Sequence, residues 1–272
     1  MTPNQEKALE TLAKVQYMTV KQMLEFGCFP TEVTARRHLK DLVNRGILDV
    51  HNFGVQVGLG KLPSLYGLTP KGVRYVAENL HLPLAEIKAS KSNKGQVHAN
   101  RDFHHRIGLI DSLLAILKHF EQVGITDQWS ELYFRKYGMH APKRTAIELE
   151  DGSRLEPDSI LHFTDTNGKK RFFLIEFYQD DTTIERIRRA LIKHGEALMT
   201  GTPSEALNLS VGHRVLLIFR HDHTARAIMR FLSKNEAFSE IQDRFLITTH
   251  QEITKNPFKN WVTGSRQPSN LY

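Results

Sequence analysis

Two acidic residues near the middle of the chain are the first candidates for a chemical role. Asp158 lies in the segment LEPDSIL, and Glu176 lies in the segment FFLIEFY. Both segments are apolar and typical of β-strands, where a buried carboxylate is costly unless a cation or a hydrogen-bond donor compensates it. Carboxylates on two neighbouring strands could share a metal ion. Alternatively, Asp158 caps a turn or pairs with an arginine, and Glu176 forms a salt bridge at the end of its strand.

The composition is that of a globular protein with an excess of positive charge. The 272 residues suffice for one large domain or two smaller ones, and 40% of them are hydrophobic. Lysine and arginine outnumber aspartate and glutamate by 37 to 30, which gives a formal net charge of +7. This excess favours polyanionic partners such as DNA.

Cysteine content and hydropathy indicate the compartment. Cys28 is the single cysteine, so the chain can form no intrachain disulfide and no cysteine-based metal cluster. The N-terminal residues lack the basic and apolar regions of a secretory signal, and no apolar run approaches the ~20 residues of a membrane span. We therefore expect a soluble cytoplasmic protein with no membrane span.

The first part of the chain predicts a distinctive order of helices and strands. Residues 4–15 pattern as a helix, and Thr19 and Thr31 can each cap a further one. Two strand-like segments then flank a glycine-rich stretch, and another helix begins at Pro70. This order resembles a winged helix-turn-helix, and the segment TARRHLKDLVNRGIL looks like its recognition helix running into the wing.

The third helix and the wing carry the candidate DNA contacts. A winged helix-turn-helix places this helix in the major groove, while basic side chains contact phosphates. The candidates are Thr34, Arg36, Arg37, Lys40, Arg45 and Lys61. The alternative is that this charged helix face is simply solvated, and winged helices also mediate protein contacts. The helix order and the hairpin together favour contact with double-stranded DNA.

A polar, basic segment separates this region from the rest of the chain, because apolar periodicity fades there. The predicted organisation is a DNA-binding domain at 1–81, a linker at 82–100 and a second domain at 101–272. Beyond the linker, the patterns predict elements in the order α-β-β-β-α-β-α-β. Predicted strands at 155–163 and 171–178 form a hairpin that carries Asp158 and Glu176.

This element order, with Pro157-Asp158 and Glu176-x-Tyr178, resembles the PD-(D/E)xK nucleases. The resemblance implies an α/β (α+β) fold like that of restriction endonucleases, with a mixed central sheet flanked by helices. It implies that the acidic pair holds Mg²⁺ or Mn²⁺, whose Lewis acidity activates water and stabilises charge on the phosphate. Tyr178 stands where the family has lysine. Either Tyr178 substitutes for it, or Lys193 reaches in from the next helix, or activity is lost.

A narrower resemblance covers about residues 5–262. The segments RDFHHRIGL, LEPDSI and FFLIEFY look like those of the replication-relaxation family, which includes MobC-type relaxases of mobilizable plasmids. Many members have Glu-x-Asp where this chain has Glu-Phe-Tyr. The resemblance implies a nickase that recognises a plasmid transfer origin and cuts one DNA strand with a divalent metal, alongside other mobilization or coupling proteins. Glu156 would be a third carboxylate ligand.

Several alternatives stay open at this point. If 155–163 is one strand, Glu156 and Asp158 share a face of the sheet and could line one pocket with the β-strand that follows. His104 and His105 are either accessory metal ligands or proton carriers, or else a surface and a buried imidazole.

Tyr178 also invites comparison with tyrosine relaxases, which attach covalently to DNA but resemble a different fold. Two rival functions remain for the whole chain. One is a plasmid replication initiator or transcriptional regulator that has lost the metal site. The other is a restriction-type endonuclease that cuts both strands.

Overall fold

The computed structural model describes residues 1–53, 55–56, 58, 60–90, 102–134, 142–179 and 181–272. In this part of the chain the protein is a mixed α/β protein whose largest sheet has seven strands. The chain divides into two compact units, Met1–Leu114 and Ala115–Tyr272, and the division falls inside one helix. The predicted linker includes residues 91–100, which lie outside the described residues, so the predicted domain boundaries stay a prediction.

The first unit contains the order of helices and strands that the sequence predicts. Its elements are α1 (Pro3–Val15), α2 (Val20–Glu25), α3 (Glu32–Asn44), β1 (Leu48–His51), β2 (Val55–Gln56), β3 (Gly60–Lys61), β4 (Leu65–Leu68), α4 (Pro70–Asn79) and the first part of α5 (Phe103–Val123). The hydroxyls of Thr19 and Thr31 accept from backbone N–H groups in the first turns of α2 and α3. The predicted caps and the helix at Pro70 are confirmed.

Short antiparallel strands complete this unit. β1 pairs with β4, and Met18, which lies between α1 and α2, also bridges to Tyr66 of β4. β2 and β3 form a separate two-stranded ladder between them in sequence. The side chains of Ala35, Leu39 and Leu42 on α3 are fully buried, as their helical spacing predicts.

The second unit is built around the seven-stranded sheet. After the remainder of α5, its elements are β5 (Gln128–Leu132), β6 (Ile147–Glu148), β7 (Arg154–Leu155), β8 (Ser159–Thr164), β9 (Lys170–Tyr178), α6 (Ile184–Thr200), α7 (Thr202–Ala206), β10 (Arg214–Phe219), α8 (Asp222–Lys234), β11 (Phe245–Thr249), α9 (His250–Lys255), β12 (Trp261–Thr263) and β13 (Pro268–Ser269). The strand order across the sheet is β13-β12-β11-β10-β9-β8-β5.

The direction of the strands changes in the middle of this sheet. β5, β8 and β9 are antiparallel neighbours, whereas β10 is parallel to both β9 and β11. Residues 215–219 of the central β10 are fully buried, as their uninterrupted apolar run predicts. Ile187 and Leu191 of α6 pack with Ile228 and Leu232 of α8 in the core cluster beside β10. Among the described residues, no helix has the length and apolar character needed to cross a membrane.

The strand predicted at 155–163 is two strands, and the prediction of one continuous strand is wrong. β7 ends at Leu155 and pairs with β6, while β8 begins at Ser159 and pairs with β5 and β9. The intervening Pro157 has no N–H group to donate to a strand ladder, which explains the break. The alternation of strand side chains therefore does not place Glu156 and Asp158 on one face.

Candidate active site

Asp158 and Glu176 lie across from each other on adjoining strands. The register that pairs Ser159 with Ile175 places Asp158 opposite Glu176 when it is continued by one residue. The Phe177 N–H group donates to Asp158 Oδ2 at 2.8 Å, which fixes the carboxylate against β9. We call these two residues the acidic pair. The fold thus brings together the two acids that the sequence singled out.

A buried histidine that the sequence analysis did not single out contacts Glu176. The Nε2 atom of His194 on α6 lies 2.7 Å from Glu176 Oε1, and the histidine side chain is completely buried. Burial lowers the pKa of His194 to about 4, although the Asp158 carboxylate acts in the opposite direction. At neutral pH the imidazole is therefore uncharged, and it donates its Nε2–H to Glu176.

The sequence did contain a signal for this histidine. Ile187, Leu191 and His194 follow each other at helical spacing on the buried face of α6. A polar residue on an apolar stripe needs a hydrogen-bond partner in the core. Glu176 is the partner, but only the packing of α6 against β9 identifies it.

Tyr178 lies on the same face of β9 as Glu176, because strand residues two apart point the same way. Its ring stacks on Phe219 of β10 with 5.2 Å between ring centroids, and the residue is only 7% exposed. Burial raises the pKa of the Tyr178 hydroxyl well above its ordinary value, and the charges of Glu176 and Asp158 add to this effect. The hydroxyl therefore keeps its proton at neutral pH. Its oxygen is buried and has no hydrogen-bond partner among the described residues.

Two other predicted site residues have partners away from the acidic pair. Glu156 is exposed, and its Oε2 atom lies 2.8 Å from Lys143 Nζ. Lys193 Nζ donates to the carbonyl oxygen of Arg154 at 3.2 Å. The structure thus gives each of these side chains a contact outside the pair, and their roles as metal ligand and catalytic lysine stay predictions.

The chemistry of the acidic pair suits a hard metal ion. Within the ranges that the structure describes, no group of three or more His, Cys, Asp or Glu side chains has the arrangement of a metal site. Mg²⁺, however, is commonly held by one or two carboxylates together with water and substrate phosphates. The hydrogen bonds from Phe177 and His194 orient the two carboxylates, as is usual for carboxylate ligands. The buried hydroxyl of Tyr178, which has no partner among the described residues, adds a further polar group on the Glu176 face of β9.

The candidate DNA-binding residues lie in the first unit, mostly on the exposed face of α3. Arg37 and Lys40 are exposed and form no ion pair among the described residues, whereas Arg36 pairs with Glu32 and Arg45 pairs with Asp41. Lys61 is exposed on β3. Thr34 is half-buried and its hydroxyl accepts from Thr31 at 3.0 Å. The face is therefore basic, although two of its arginines are partly neutralised.

The two predicted accessory histidines lie in the first turn of α5. His104 is exposed and contacts the Phe103 ring edge-on. His105 Nδ1 lies 3.6 Å from Asp102 Oδ1. Their proposed roles as metal ligands or proton carriers remain untested.

The family of the chain follows from a comparison with known proteins. Residues 9–201 match the family described as replication-relaxation, and this range is more than half of the chain. The chain belongs to the replication-relaxation family. The family region includes both α3 and the acidic pair with His194. The same comparisons gave no match among curated proteins and none among solved structures.

Proposed function

We propose that this replication-relaxation protein processes plasmid DNA as a MobC-type relaxase. The first unit recognises double-stranded DNA at a transfer origin, and the second unit nicks one strand. Family membership supports a role in replication or mobilization. The proposal for each unit rests on its own geometry.

The order of elements in the first unit supports the proposal of a winged helix-turn-helix. Three helices precede β1 and β4, Met18 adds a second antiparallel pairing to β4, and the β2–β3 ladder has the position of a wing. In such a domain the third helix enters the major groove. Arg37 and Lys40 on the exposed face of α3 would contact phosphates, because their charges have no partner among the described side chains.

The strand pattern of the second unit supports the proposal of a PD-(D/E)xK nuclease domain. β5, β8 and β9 form an antiparallel meander, α6 follows, and β10 then runs parallel to β9. The acidic pair lies at the start of β8 and near the end of β9, as in the motif of that family. The single observation that carries the proposal is the hydrogen bond from Phe177 N–H to Asp158, because it holds the Asp158 carboxylate against β9 at the residue next to Glu176.

The residues of this site have separate roles in the proposed cleavage. Asp158 and Glu176 would hold Mg²⁺ or Mn²⁺, and the ion would supply Lewis acidity at the phosphate. His194 holds Glu176 in position through its Nε2–H. Tyr178 would take the place of the family's lysine, because its protonated hydroxyl is a hydrogen-bond donor without a partner among the described residues.

A second candidate function is DNA binding without cleavage, as in a replication initiator or transcriptional regulator. The observation that favours it is the replacement of the motif lysine by Tyr178, whose ring is packed on Phe219. Lys193 donates to the Arg154 carbonyl oxygen, which is a contact away from the acidic pair.

A nicking assay separates these functions. Supercoiled plasmid carrying the cognate origin is incubated with the protein and Mg²⁺ or Mn²⁺, and then with a chelator. We expect metal-dependent open circles that Asp158→Asn and Glu176→Gln each abolish, while Glu148→Gln, an exposed carboxylate on β6, leaves them unchanged. Binding without cleavage would favour the regulator, and linear product would favour a restriction-type enzyme. A protein–DNA adduct that survives denaturation would mean that the nucleophile is Tyr178 and not water.

A further inference from the structure

A pocket lies in the same unit, at the opposite end of β9 from the acidic pair. It has a volume of about 330 Å³ and is formed where β9 and β10 begin, beside the turn that leads into β11. Arg171 in its lining is five residues from Glu176 along β9, which corresponds to about 17 Å in an extended strand. The pocket is thus separate from the proposed nuclease site.

Four cationic side chains line this pocket, and we call it the basic pocket. They are Lys170, Arg171, Arg214 and Arg244. Asp243 is the one acidic residue in the described lining. The basic pocket therefore carries a net positive charge before any ligand is considered.

The contacts of the three arginines compensate only part of the positive charge of the basic pocket. Arg171 forms an ion pair with the buried Asp165 at 2.7 Å. Arg214 and Arg244 instead donate to backbone carbonyl oxygens, those of Asp243 at 3.1 Å and His213 at 2.8 Å. A carbonyl oxygen orients a guanidinium without neutralising it.

The positive charges of the basic pocket affect one another at Arg214. Burial lowers the pKa of its guanidinium, and the charges of Arg244 and Arg171 lower it further, against the opposing effect of Asp243. Like charges held close together in a partly desolvated place repel each other. An anion between them would relieve this repulsion.

The backbone makes room for one of these guanidinium groups. Gly212 lies two residues before the start of β10, and a Cβ atom at this position would be only 2.8 Å from Arg244 Nη2. The planar end group of Arg244 therefore lies against a residue without a side chain. A side chain at position 212 would require the Arg244 guanidinium to shift.

We propose that the basic pocket binds a phosphate group through Arg214 and Arg244, with Lys170 at its rim. Guanidinium groups match phosphate oxygens with paired N–H donors, and carbonyl contacts hold these two in a fixed orientation. This site does not depend on the proposed nuclease activity. A DNA backbone and a free phosphate or nucleotide would present the same group.

The test measures both sources of phosphate with the full-length protein. Inorganic phosphate and ATP are titrated by calorimetry, and a fluorescent DNA duplex of arbitrary sequence is titrated by anisotropy. The pocket variants are Arg214→Gln, Arg244→Gln and Lys170→Gln. Gly212→Ala is a fourth variant, which displaces the Arg244 guanidinium without changing charge. Lys169→Gln is the matched control, because it removes one charge from the neighbouring residue outside the lining.

We expect the three charge-removing variants to weaken binding about tenfold or more, as for the loss of a charge-assisted hydrogen bond, Gly212→Ala to weaken it less than these, and Lys169→Gln to have less than about twofold effect. Loss of phosphate and ATP binding identifies a small phosphate-bearing ligand. Loss of DNA binding alone identifies the DNA backbone. Unchanged binding of all three probes, or an equal loss in Lys169→Gln, overturns the proposal. If the arginine variants do not fold by circular dichroism, Lys170→Gln and Gly212→Ala decide the question.

Discussion

At the scale of single residues, burial controls the chemistry of the candidate site. His194 and Tyr178 flank the Glu176 carboxylate. Burial lowers the pKa of His194 and raises the pKa of Tyr178, so both side chains are uncharged at neutral pH. The site therefore contains two neutral hydrogen-bonding groups beside two acids. Such an arrangement can orient carboxylates and water without adding a competing cation.

The pKa of His194 makes stability depend on pH. Its value falls from 6.5 to about 4 on folding, so the unfolded chain takes up a proton that the native state excludes. The contribution of the uncharged His194 to the free energy of unfolding is fully present above about pH 6.5 and is lost as the pH falls towards 4. Between pH 7 and pH 5, we expect the wild type to lose about 2 kcal/mol more unfolding free energy than His194→Gln.

Urea denaturation followed by circular dichroism at both pH values checks this prediction. His223→Gln is the control, because that imidazole is exposed and its replacement should leave the wild-type pH dependence in place. An identical pH dependence in His194→Gln would mean that the native state accepts the proton.

Tyr178→Phe separates a catalytic role for the hydroxyl from a structural one. The Tyr178 oxygen makes no hydrogen bond to the described residues, so its removal should change the unfolding free energy by less than about 1 kcal/mol. If the hydroxyl positions water, nicking should fall by roughly 10²- to 10⁴-fold. Thermal melts and the plasmid assay measure the two effects. Full nicking by a stable Tyr178→Phe protein would remove Tyr178 from the mechanism.

At the scale of elements, the exposed face of α3 distributes its charges unevenly. Arg36 and Arg45 are paired with carboxylates on the same helix, while Arg37 and Lys40 are not paired with any described side chain. Exposed pairs within a helix are weak and break easily in favour of a phosphate. The unpaired cations should nevertheless contribute more to DNA affinity, since they give up no partner.

Arg37→Ala should weaken DNA binding and make its salt dependence shallower. One lost phosphate contact lowers the slope of log affinity against log salt by about 0.9. Anisotropy titrations at several salt concentrations measure both quantities. Arg74→Ala removes an exposed arginine from α4 and serves as the charge-matched control. If Arg37→Ala and Arg74→Ala behave alike, α3 makes no specific phosphate contact through Arg37.

At the scale of the whole molecule, the candidate DNA-binding residues and the acidic pair belong to different compact units. The units divide between Leu114 and Ala115, inside α5, whereas the composition predicts a linker at 82–100. A structural division and a flexible linker are different properties of a chain. The linker therefore needs a test of its own.

Limited trypsin digestion of the full chain provides that test. If the polar, basic segment is a linker, the first cuts should fall at lysines within 88–100, and mass spectrometry of the two fragments locates them. The fragment that begins beyond the cut should contain the whole of α5. First cuts elsewhere would place the linker outside this segment.

Local features of this protein are determined by the sequence itself. The caps at Thr19 and Thr31, the buried stripe of α3 and the apolar run of β10 depend on residues close together in the chain. Such patterns determine which helices and strands form, and they also singled out Asp158 and Glu176.

Only the tertiary structure decided which of these residues meet. Pro157 divides one predicted strand into two, His194 reaches Glu176 from α6, and Arg214 and Arg244 come together at the far end of the sheet. The physical reason is that these contacts depend on strand pairing and helix packing between residues distant in sequence. The net charge of +7 follows from the composition, but the positions of the charged side chains in the folded protein do not.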